Sequence, residues 1–147
     1  YLSRAVLGNR ALAEDLTQET FASVVNAVRD GSPGALTLPW VIGAARHKLI
    51  DYYRSSAREA RRLSLAWSSG LGQDGQLDEF ADGNSADLVD LMRQLSPDHR
   101  LVLVLRYLDE LSVEEIASEI TRSVHATESL LARARKALTR SYREVNQ

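Results

Sequence analysis

The sequence contains no cysteine, which excludes disulfide bonds and thiolate metal sites. It also lacks any apolar run approaching the ~20 residues that a membrane-spanning helix needs. No stretch combines a basic start with a short apolar core, the pattern of a secretory leader. We therefore expect a cytoplasmic protein that does not insert into a membrane.

The sequence has no recognisable set of catalytic or metal-binding residues. Its three histidines, His47, His99 and His125, do not have a metal-binding spacing such as HExxH. No glycine-rich loop resembles a phosphate-binding loop. His99 follows Asp98, and such a pair usually marks the start of a helix at the surface. We expect no enzymatic activity, no cofactor and no bound metal.

The net charge of −2 hides an alternation of basic and acidic segments. Residues 46–62 include six basic and two acidic residues, which gives +4. Residues 63–86 include four acidic residues and no basic one, which gives −4. Residues 121–147 again include six basic and two acidic residues, or +4. Two separate basic segments indicate two anion-binding surfaces, although two solvated helix faces would give the same charge pattern.

Apolar periodicity and few helix breakers predict an all-α protein. Gly8-Asn9 and the cluster at residues 29–34 end helices. Pro39 and Ser96-Pro97 are typical of helix beginnings. The predicted helices cover residues 2–7, 11–28, 40–62, 87–95, 98–108, 113–120 and 124–143.

Residues 64–85 differ from the rest because serine, glycine and acidic residues dominate them. This composition predicts a flexible linker. We therefore expect two small helical domains, at residues 1–62 and 87–147, joined by an acidic linker at residues 63–86.

The second domain contains a candidate helix-turn-helix. Ser112 and Glu115 form a capping-box pattern, and Ser123 can cap the next helix. The small Ala117 would let the two helices approach closely, with Ile116 and Ile120 packing on residues of the second helix such as Val124 and Leu131. The second helix could then enter a DNA major groove with its N-terminus first. Any helical hairpin inside a bundle has the same pattern, so that alternative stays open.

Several segments resemble the sigma-70 family of RNA polymerase sigma factors, in its extracytoplasmic-function (ECF) subgroup. GNRALAEDLTQETF and LPWVIGAARHKLIDYYR resemble region 2. Leu95 to Tyr107, LSVEEIASEI and LLARARKAL resemble region 4. The segments follow the family's order and, with the linker, cover nearly the whole chain.

The resemblance implies a non-enzymatic factor that binds core RNA polymerase through the beta-prime clamp and the beta flap. Such a factor directs promoter-specific initiation by opening the −10 element and recognising the −35 element of promoter DNA. The resemblance also implies an anti-sigma factor that holds the chain inactive.

The resemblance assigns three groups of contact residues. The polymerase-binding group is Asp15, Gln18, Glu19 and Phe21. The −10 DNA-binding group is Arg46, His47, Lys48, Tyr52, Arg54 and Arg58. The −35 DNA-binding group is Ser123, His125, Ala126, Glu128, Ser129, Arg133, Arg135 and Lys136. The basic residues of this helix, including Arg140 further along, are placed for phosphates or for a protein partner.

The chemistry of these residues suits such roles. Arginine and lysine bind phosphates and make DNA binding salt-dependent. Aromatic rings among them can stack on unpaired bases, at ~1–3 kcal/mol per base, which offsets the few kcal/mol of unstacking. We expect the loop at residues 31–38 to shape the pocket for an extruded base. We expect Phe21, Tyr53 and Trp40 to be core residues.

The sequence departs from the family pattern in three places. It begins within a predicted helix, whereas family members usually have about one further helix before this position. Glu128 and Leu130 stand where the recognition helix is often basic, and Leu130 could contact a thymine methyl or a protein partner. Thr121 and Arg122 stand where the turn usually has glycine and an apolar residue. We therefore expect an unusual promoter readout or a partner held on region 4.

Two other functions fit the residues. One is a helix-turn-helix regulator that acts without polymerase, and the other is a helical adaptor that binds only protein. Substitution of Asp15 and Glu19 would abolish polymerase binding only for a sigma factor. Salt-sensitive binding of the polymerase complex to promoter fragments would exclude the adaptor.

Overall fold

A computed structural model describes residues 1–32, 34, 36–67 and 83–147. All the regular structure in these ranges is helical, which confirms the all-α prediction. The chain forms two compact units, Tyr1–Tyr52 and Tyr53–Gln147, which divide within the third helix. The helices are α1 Leu2–Ala5, α2 Arg10–Arg29, α3 Leu38–Trp67, α4 Gly83–Arg93, α5 Pro97–Leu103, a π-helical segment Val104–Leu108, α6 Val113–Ile120 and α7 Val124–Val145.

The first unit is organised around one buried face of α2. The Asn9 side chain accepts a hydrogen bond from the Leu12 amide at 3.1 Å and thereby caps the start of this helix. Leu16 and Val24 are buried, together with Leu49 and Ile50 of α3. Thr20 is also buried, and its hydroxyl donates to the Leu16 carbonyl at 2.7 Å. That bond satisfies the polar atom, so the core accepts a threonine at little cost.

Helices extend into the predicted linker from both sides. Helix α3 continues through residues 63–67, and α4 already begins at Gly83. The extension of α3 has a local cause, because residues 57–67 are mostly alanine, leucine and arginine, which are strong helix formers. An ion pair between Arg62 and Glu59 at 2.8 Å adds to it. The rest of the predicted linker, residues 68–82, lies outside the described residues.

The second unit has its core at the run from Leu101 to Leu105. All five residues of this run are buried. Consecutive residues of a helix point in directions about 100° apart, so a run that is buried throughout is surrounded by core on every side. The prediction of one helix over residues 98–108 was wrong in its geometry. The chain changes at Val104 from α5 to a π-helical segment.

A tight turn follows the π-helical segment and leads into α6. The Arg106 guanidinium donates to the Leu111 carbonyl at 2.6 Å, and the Leu111 amide donates to the Leu105 carbonyl at 3.1 Å. These bonds satisfy backbone groups that the end of the helix would leave without partners. The turn therefore fixes where α6 begins relative to α5.

Helices α6 and α7 form the predicted helix-turn-helix. The Ser112 hydroxyl accepts from the Glu115 amide at 3.1 Å, and the Ser123 hydroxyl accepts from the Ala126 amide at 3.1 Å. Both serines therefore cap their helices as predicted. The buried face of α6 consists of Ile116, Ala117 and Ile120, and that of α7 consists of Thr127, Leu130, Leu131 and Ala134.

Two expectations for α7 were wrong. Leu130 is buried at 4% exposure, so it cannot contact a thymine methyl. It shares the buried face of the helix with Leu131, whereas the base-contacting side must be the opposite one. Val124 was expected in the helix contact but is 40% exposed, because it is the first residue of α7 and stands ahead of the buried face, which begins at Thr127.

The turn between α6 and α7 contains a strained residue. Thr121 has φ 55° and ψ 50°, the left-handed conformation that disfavours β-branched side chains. Thr121→Gly is therefore expected to raise the free energy of unfolding by about 1 kcal/mol, measured by urea denaturation. Thr139→Gly, the same substitution in the interior of α7, should instead lower it. Equal effects of the two variants would contradict the strain at Thr121.

Candidate functional site

The surface of α2 outside its core face carries both polar and apolar residues. Asp15, Gln18 and Glu19 are exposed. Phe21 is 57% exposed, so its assignment to the core was wrong. Val25 and Val28 are 48% and 45% exposed. We call Phe21, Val25 and Val28 the apolar strip of α2.

The position of Phe21 follows from the helical repeat. The core face of α2 contains Ala13, Leu16, Thr20 and Val24. Phe21 comes one residue after Thr20 and therefore lies about 100° around the helix from the core. Val25 and Val28 follow it at i+4 and i+7, on the same side. Sequence reasoning missed both valines as surface residues, because two adjacent apolar stripes look like one broad stripe.

The basic part of α3 differs in exposure from residue to residue. In the first unit, His47 is exposed, whereas Arg46, Lys48 and Tyr52 are half-buried. In the second unit, Arg58 is exposed. The side chains of the first unit combine cationic groups with aromatic rings at a helix surface, a composition suited to single-stranded nucleic acid.

Arg54 and Tyr53 make contacts inside the second unit. The Arg54 guanidinium donates to the Ile120 carbonyl at 2.6 Å, at the end of α6. Tyr53 is buried, as predicted, and the guanidinium carbon of Arg100 lies 5.9 Å from its ring centroid. A hydrogen bond from a charged group contributes ~1.5–3 kcal/mol, which Arg54 would give up on moving to a phosphate.

The loop between α2 and α3 and the first residue of α3 each expose a large apolar side chain. Leu36 and Leu38 are both exposed. Gly34 has a φ of 78°, and the Thr37 hydroxyl donates to its carbonyl at 2.6 Å. Pro33 and Ala35 of the same predicted loop lie outside the described residues. Trp40, expected as a core anchor, is half-buried at the start of α3.

The predicted −35 residues of α7 are at the surface. Ser123, His125, Glu128 and Ser129 are exposed, and Ala126 is half-buried. Their helix begins at a capped N-terminus that follows α6 directly, so these side chains are available to base edges.

The basic residues of α7 are divided between two sides of the helix. Arg133 and Arg135 are two residues apart and therefore point in nearly opposite directions. The Arg135 guanidinium donates to the Tyr107 hydroxyl at 2.8 Å, and its carbon lies 5.8 Å from the Tyr107 ring centroid. Arg135 is thus oriented by Tyr107, whereas Arg133 and Lys136 face the other part of the exposed surface.

A groove of about 780 Å³ lies along the C-terminal half of α7. Arg133, Lys136, Arg140 and Arg143 line it, together with His99 from α5. Burial lowers the pKa of the His99 imidazole, and the charge of Arg133 lowers it further, whereas Asp98 acts in the opposite direction. Sequence reasoning missed His99 and Arg143, because only the tertiary contact of α5 with α7 brings them together.

Neither a membrane-spanning helix nor a metal-binding group is found among the described residues. None of the helices in residues 1–32, 36–67 and 83–147 is long and apolar enough to cross a bilayer. In the part of the chain that the structure describes, no three acidic, histidine or cysteine side chains form a group able to hold a metal ion.

Comparisons with protein families identify both halves of the chain. The family model for sigma-70 region 2 matches residues 1–59, and that for sigma-70 region 4 matches residues 85–138. A solved structure, the sigma factor RpoE in complex with the anti-sigma factor NepR from Bartonella quintana, has a similar fold. The TM-score is 0.61 at 19% identity, over 97% of this chain and 88% of RpoE.

Curated relatives agree with these matches. RNA polymerase sigma factor CarQ of Myxococcus xanthus is 32% identical over 80% of this chain and 67% of its own length. ECF sigma factor SigW of Bacillus subtilis is 30% identical over 95% of this chain and 80% of its own length. ECF sigma factor BldN of Streptomyces coelicolor is 30% identical over 91% of this chain, which spans 52% of BldN. The chain therefore belongs to the sigma-70 family of RNA polymerase sigma factors, in the extracytoplasmic-function group.

Proposed function

We propose that this chain binds core RNA polymerase and directs promoter-specific initiation by opening the −10 element and reading the −35 element. The observation that carries the proposal is the presence of regions 2 and 4 in the family's order, with polar and basic surfaces exposed on each. Sigma factors are initiation factors rather than enzymes, and we assign this chain no catalytic residue and no cofactor.

The polymerase contact is assigned to α2. Asp15, Gln18 and Glu19 would face the beta-prime clamp, because carboxylates and an amide suit a basic partner helix. The apolar strip of α2 lies beside Gln18 and would add the large buried contact that strong interfaces require. We assign a second contact, to the beta flap, to region 4.

The −10 contact is assigned to α3 and to the loop before it. Arg46, Lys48 and Arg58 would bind phosphates, and His47 and Tyr52 would stack on exposed bases. Leu36 of the loop and Leu38 at the start of α3 provide an apolar surface that suits an extruded base. Arg54 would join this group only after releasing the Ile120 carbonyl.

The −35 contact is assigned to the first turns of α7. Ser123, His125, Ala126, Glu128 and Ser129 would lie in the major groove, where Glu128 can accept a hydrogen bond from a cytosine amino group. Arg133 and Lys136 would bind phosphates at the edge of the groove. Arg135, whose guanidinium is held by its hydrogen bond to the Tyr107 hydroxyl, would bind a phosphate on the other side of the helix.

The remaining parts of the proposal concern organisation and control. We propose domains at residues 1–62 and 87–147 and a connecting segment at residues 63–86. RpoE of Bartonella quintana forms a complex with an anti-sigma factor. By analogy, we propose an anti-sigma partner for this chain and a cytoplasmic location.

The proposal is tested by run-off transcription from genomic fragments with core polymerase. Adding the chain should produce transcripts that core polymerase alone does not make. A matched pair of variants locates the effect. Arg46→Gln with Lys48→Gln should reduce those transcripts, whereas Arg4→Gln with Arg10→Gln, the same charge change in α1 and the first turn of α2, should leave them unchanged.

Each alternative function predicts a different outcome. A regulator that acts without polymerase would bind specific DNA yet leave core polymerase unable to start at new positions. An adaptor would bind no DNA, either alone or together with core polymerase. Either result would contradict a sigma factor.

A further inference from the structure

The groove along α7 contains a regular row of cationic side chains. Arg133, Lys136, Arg140 and Arg143 follow one another at intervals of three or four residues. Residues at this spacing are neighbours on one face of a helix, with Cβ atoms ~5–6 Å apart. At a rise of 1.5 Å per residue the row is ~15 Å long. The row therefore forms a continuous cationic edge.

This row is not neutralised within the described residues. None of its four members forms an ion pair with another described residue. Glu144 is the acidic residue among those described along the groove, so the lining has four cations against one carboxylate. Like charges at this spacing destabilise a helix by ~0.2–0.5 kcal/mol per pair. An anion in the groove would remove that repulsion.

The lining indicates which kind of anion fits. The described residues around the groove include no large apolar side chain. The centre of a protein interface is normally rich in aromatic residues and poor in lysine. A phosphate backbone requires only cations and hydrogen-bond donors. The composition therefore favours nucleic acid over an acidic protein surface.

The groove also continues the side of α7 that carries the base-reading residues. Steps of three and four residues lead from His125 and Ser129 to Lys136 and Arg140, so all four lie on one side of the helix. A duplex that meets the first turns of α7 thus lies on the same side of the helix as the cationic row.

We propose that His99, Arg140 and Arg143 join Arg133 and Lys136 to bind the phosphate backbone of duplex DNA beside the −35 element. The inference rests on the proposed −35 role of α7 and extends the contact of that helix beyond the family match, which ends at residue 138. An imidazole can donate an N–H to a phosphate oxygen whether or not it is charged.

The test is the salt dependence of duplex binding by the full chain. Each phosphate contact contributes about −0.9 to the slope of log affinity against log salt. Arg140→Gln with Arg143→Gln should therefore make the slope less steep by about 1.8, measured by fluorescence anisotropy between about 50 and 200 mM salt. Glu144→Gln should strengthen binding. Arg10→Gln with Arg29→Gln, an equal charge change on α2, should leave the slope unaltered.

Folding and specificity controls keep the outcomes distinct. The two arginines are exposed, so thermal melting should be unaffected, and Arg140→Lys with Arg143→Lys should restore the slope. An unaltered slope in the glutamine variant would contradict phosphate binding by the groove. If that variant instead lost its affinity for core polymerase, the groove would bind an acidic protein surface and the inference would be wrong.

A second readout separates this inference from the proposed function. Discrimination between selected and scrambled −35 duplexes should persist in the glutamine variant, because phosphate contacts carry no sequence information. Intact discrimination with an unaltered slope would refute phosphate binding by the groove and leave the −35 role of α7 standing. Absence of discrimination in the unmodified chain would refute the −35 role, whatever the slope.

Discussion

Phe21→Ala is expected to weaken binding to core RNA polymerase by about 30-fold. The expectation follows from the exposure of this ring next to Gln18, on the helix that also exposes Asp15 and Glu19. An aromatic residue at the centre of an interface commonly contributes at least ~2 kcal/mol, and each 1.4 kcal/mol corresponds to a tenfold change in affinity. A binding titration of labelled chain with core polymerase measures the change.

The same substitution should hardly affect folding. A buried phenylalanine costs ~3–5 kcal/mol when it is replaced by alanine. Exposed positions usually change stability by less than ~0.5 kcal/mol. Urea denaturation of Phe21→Ala therefore distinguishes an interface residue from a core residue independently of any polymerase assay.

A matched control separates the interface from general loss of apolar surface. Leu63 is 48% exposed and lies outside the strip, on the far part of α3. Leu63→Ala should bind polymerase normally. Equal affinities for the Phe21 and Leu63 variants would refute the assignment of α2 to the clamp, and a large loss of stability in the Phe21 variant would show that the ring is needed for the fold.

Helix beginnings could be predicted from the sequence because capping is local. Ser96, Ser112 and Ser123 each accept a hydrogen bond from the amide three residues later. That interaction depends on a few consecutive residues, so no tertiary information is needed. The helix ends were less accurate. Glycine and proline mark where a helix can stop, but alanine- and arginine-rich ends such as residues 63–67 can continue.

The face that each helix buries could not be predicted as reliably. Phe21 follows the buried Thr20, and Leu130 precedes the buried Leu131. In the first case the threonine takes the core position and the aromatic ring is outside. In the second case two adjacent leucines are both inside. The outcome depends on which neighbouring helix covers each direction, and that is decided by tertiary packing rather than by apolar periodicity.

The groove along α7 was beyond sequence reasoning for a related reason. His99 and Arg133 are far apart in the chain and face one another only because α5 packs on α7. The basic spacing within α7 is visible in the sequence, but the opposing wall is not. Sites built on one helix can thus be predicted, whereas sites between helices require the fold.

Leu131→Ala should lower the free energy of unfolding of the second unit by ~2–5 kcal/mol. Leu131 is 1% exposed and belongs to the face of α7 that packs against α5 and α6. Removing its side chain leaves a cavity where the two helices of the helix-turn-helix meet. Small domains are stable by only ~5–15 kcal/mol, so this loss is a large fraction of the total.

The comparison with Val124→Ala makes the Leu131 prediction specific. Val124 begins the same helix and is 40% exposed, so its truncation should cost much less. Urea denaturation of both variants, followed by helix content, measures the difference. Discrimination between −35 duplexes should decline in the Leu131 variant because the base-reading turn depends on this packing. Equal denaturation midpoints for the two variants would mean that the contact of α6 with α7 is not what holds the recognition helix in place.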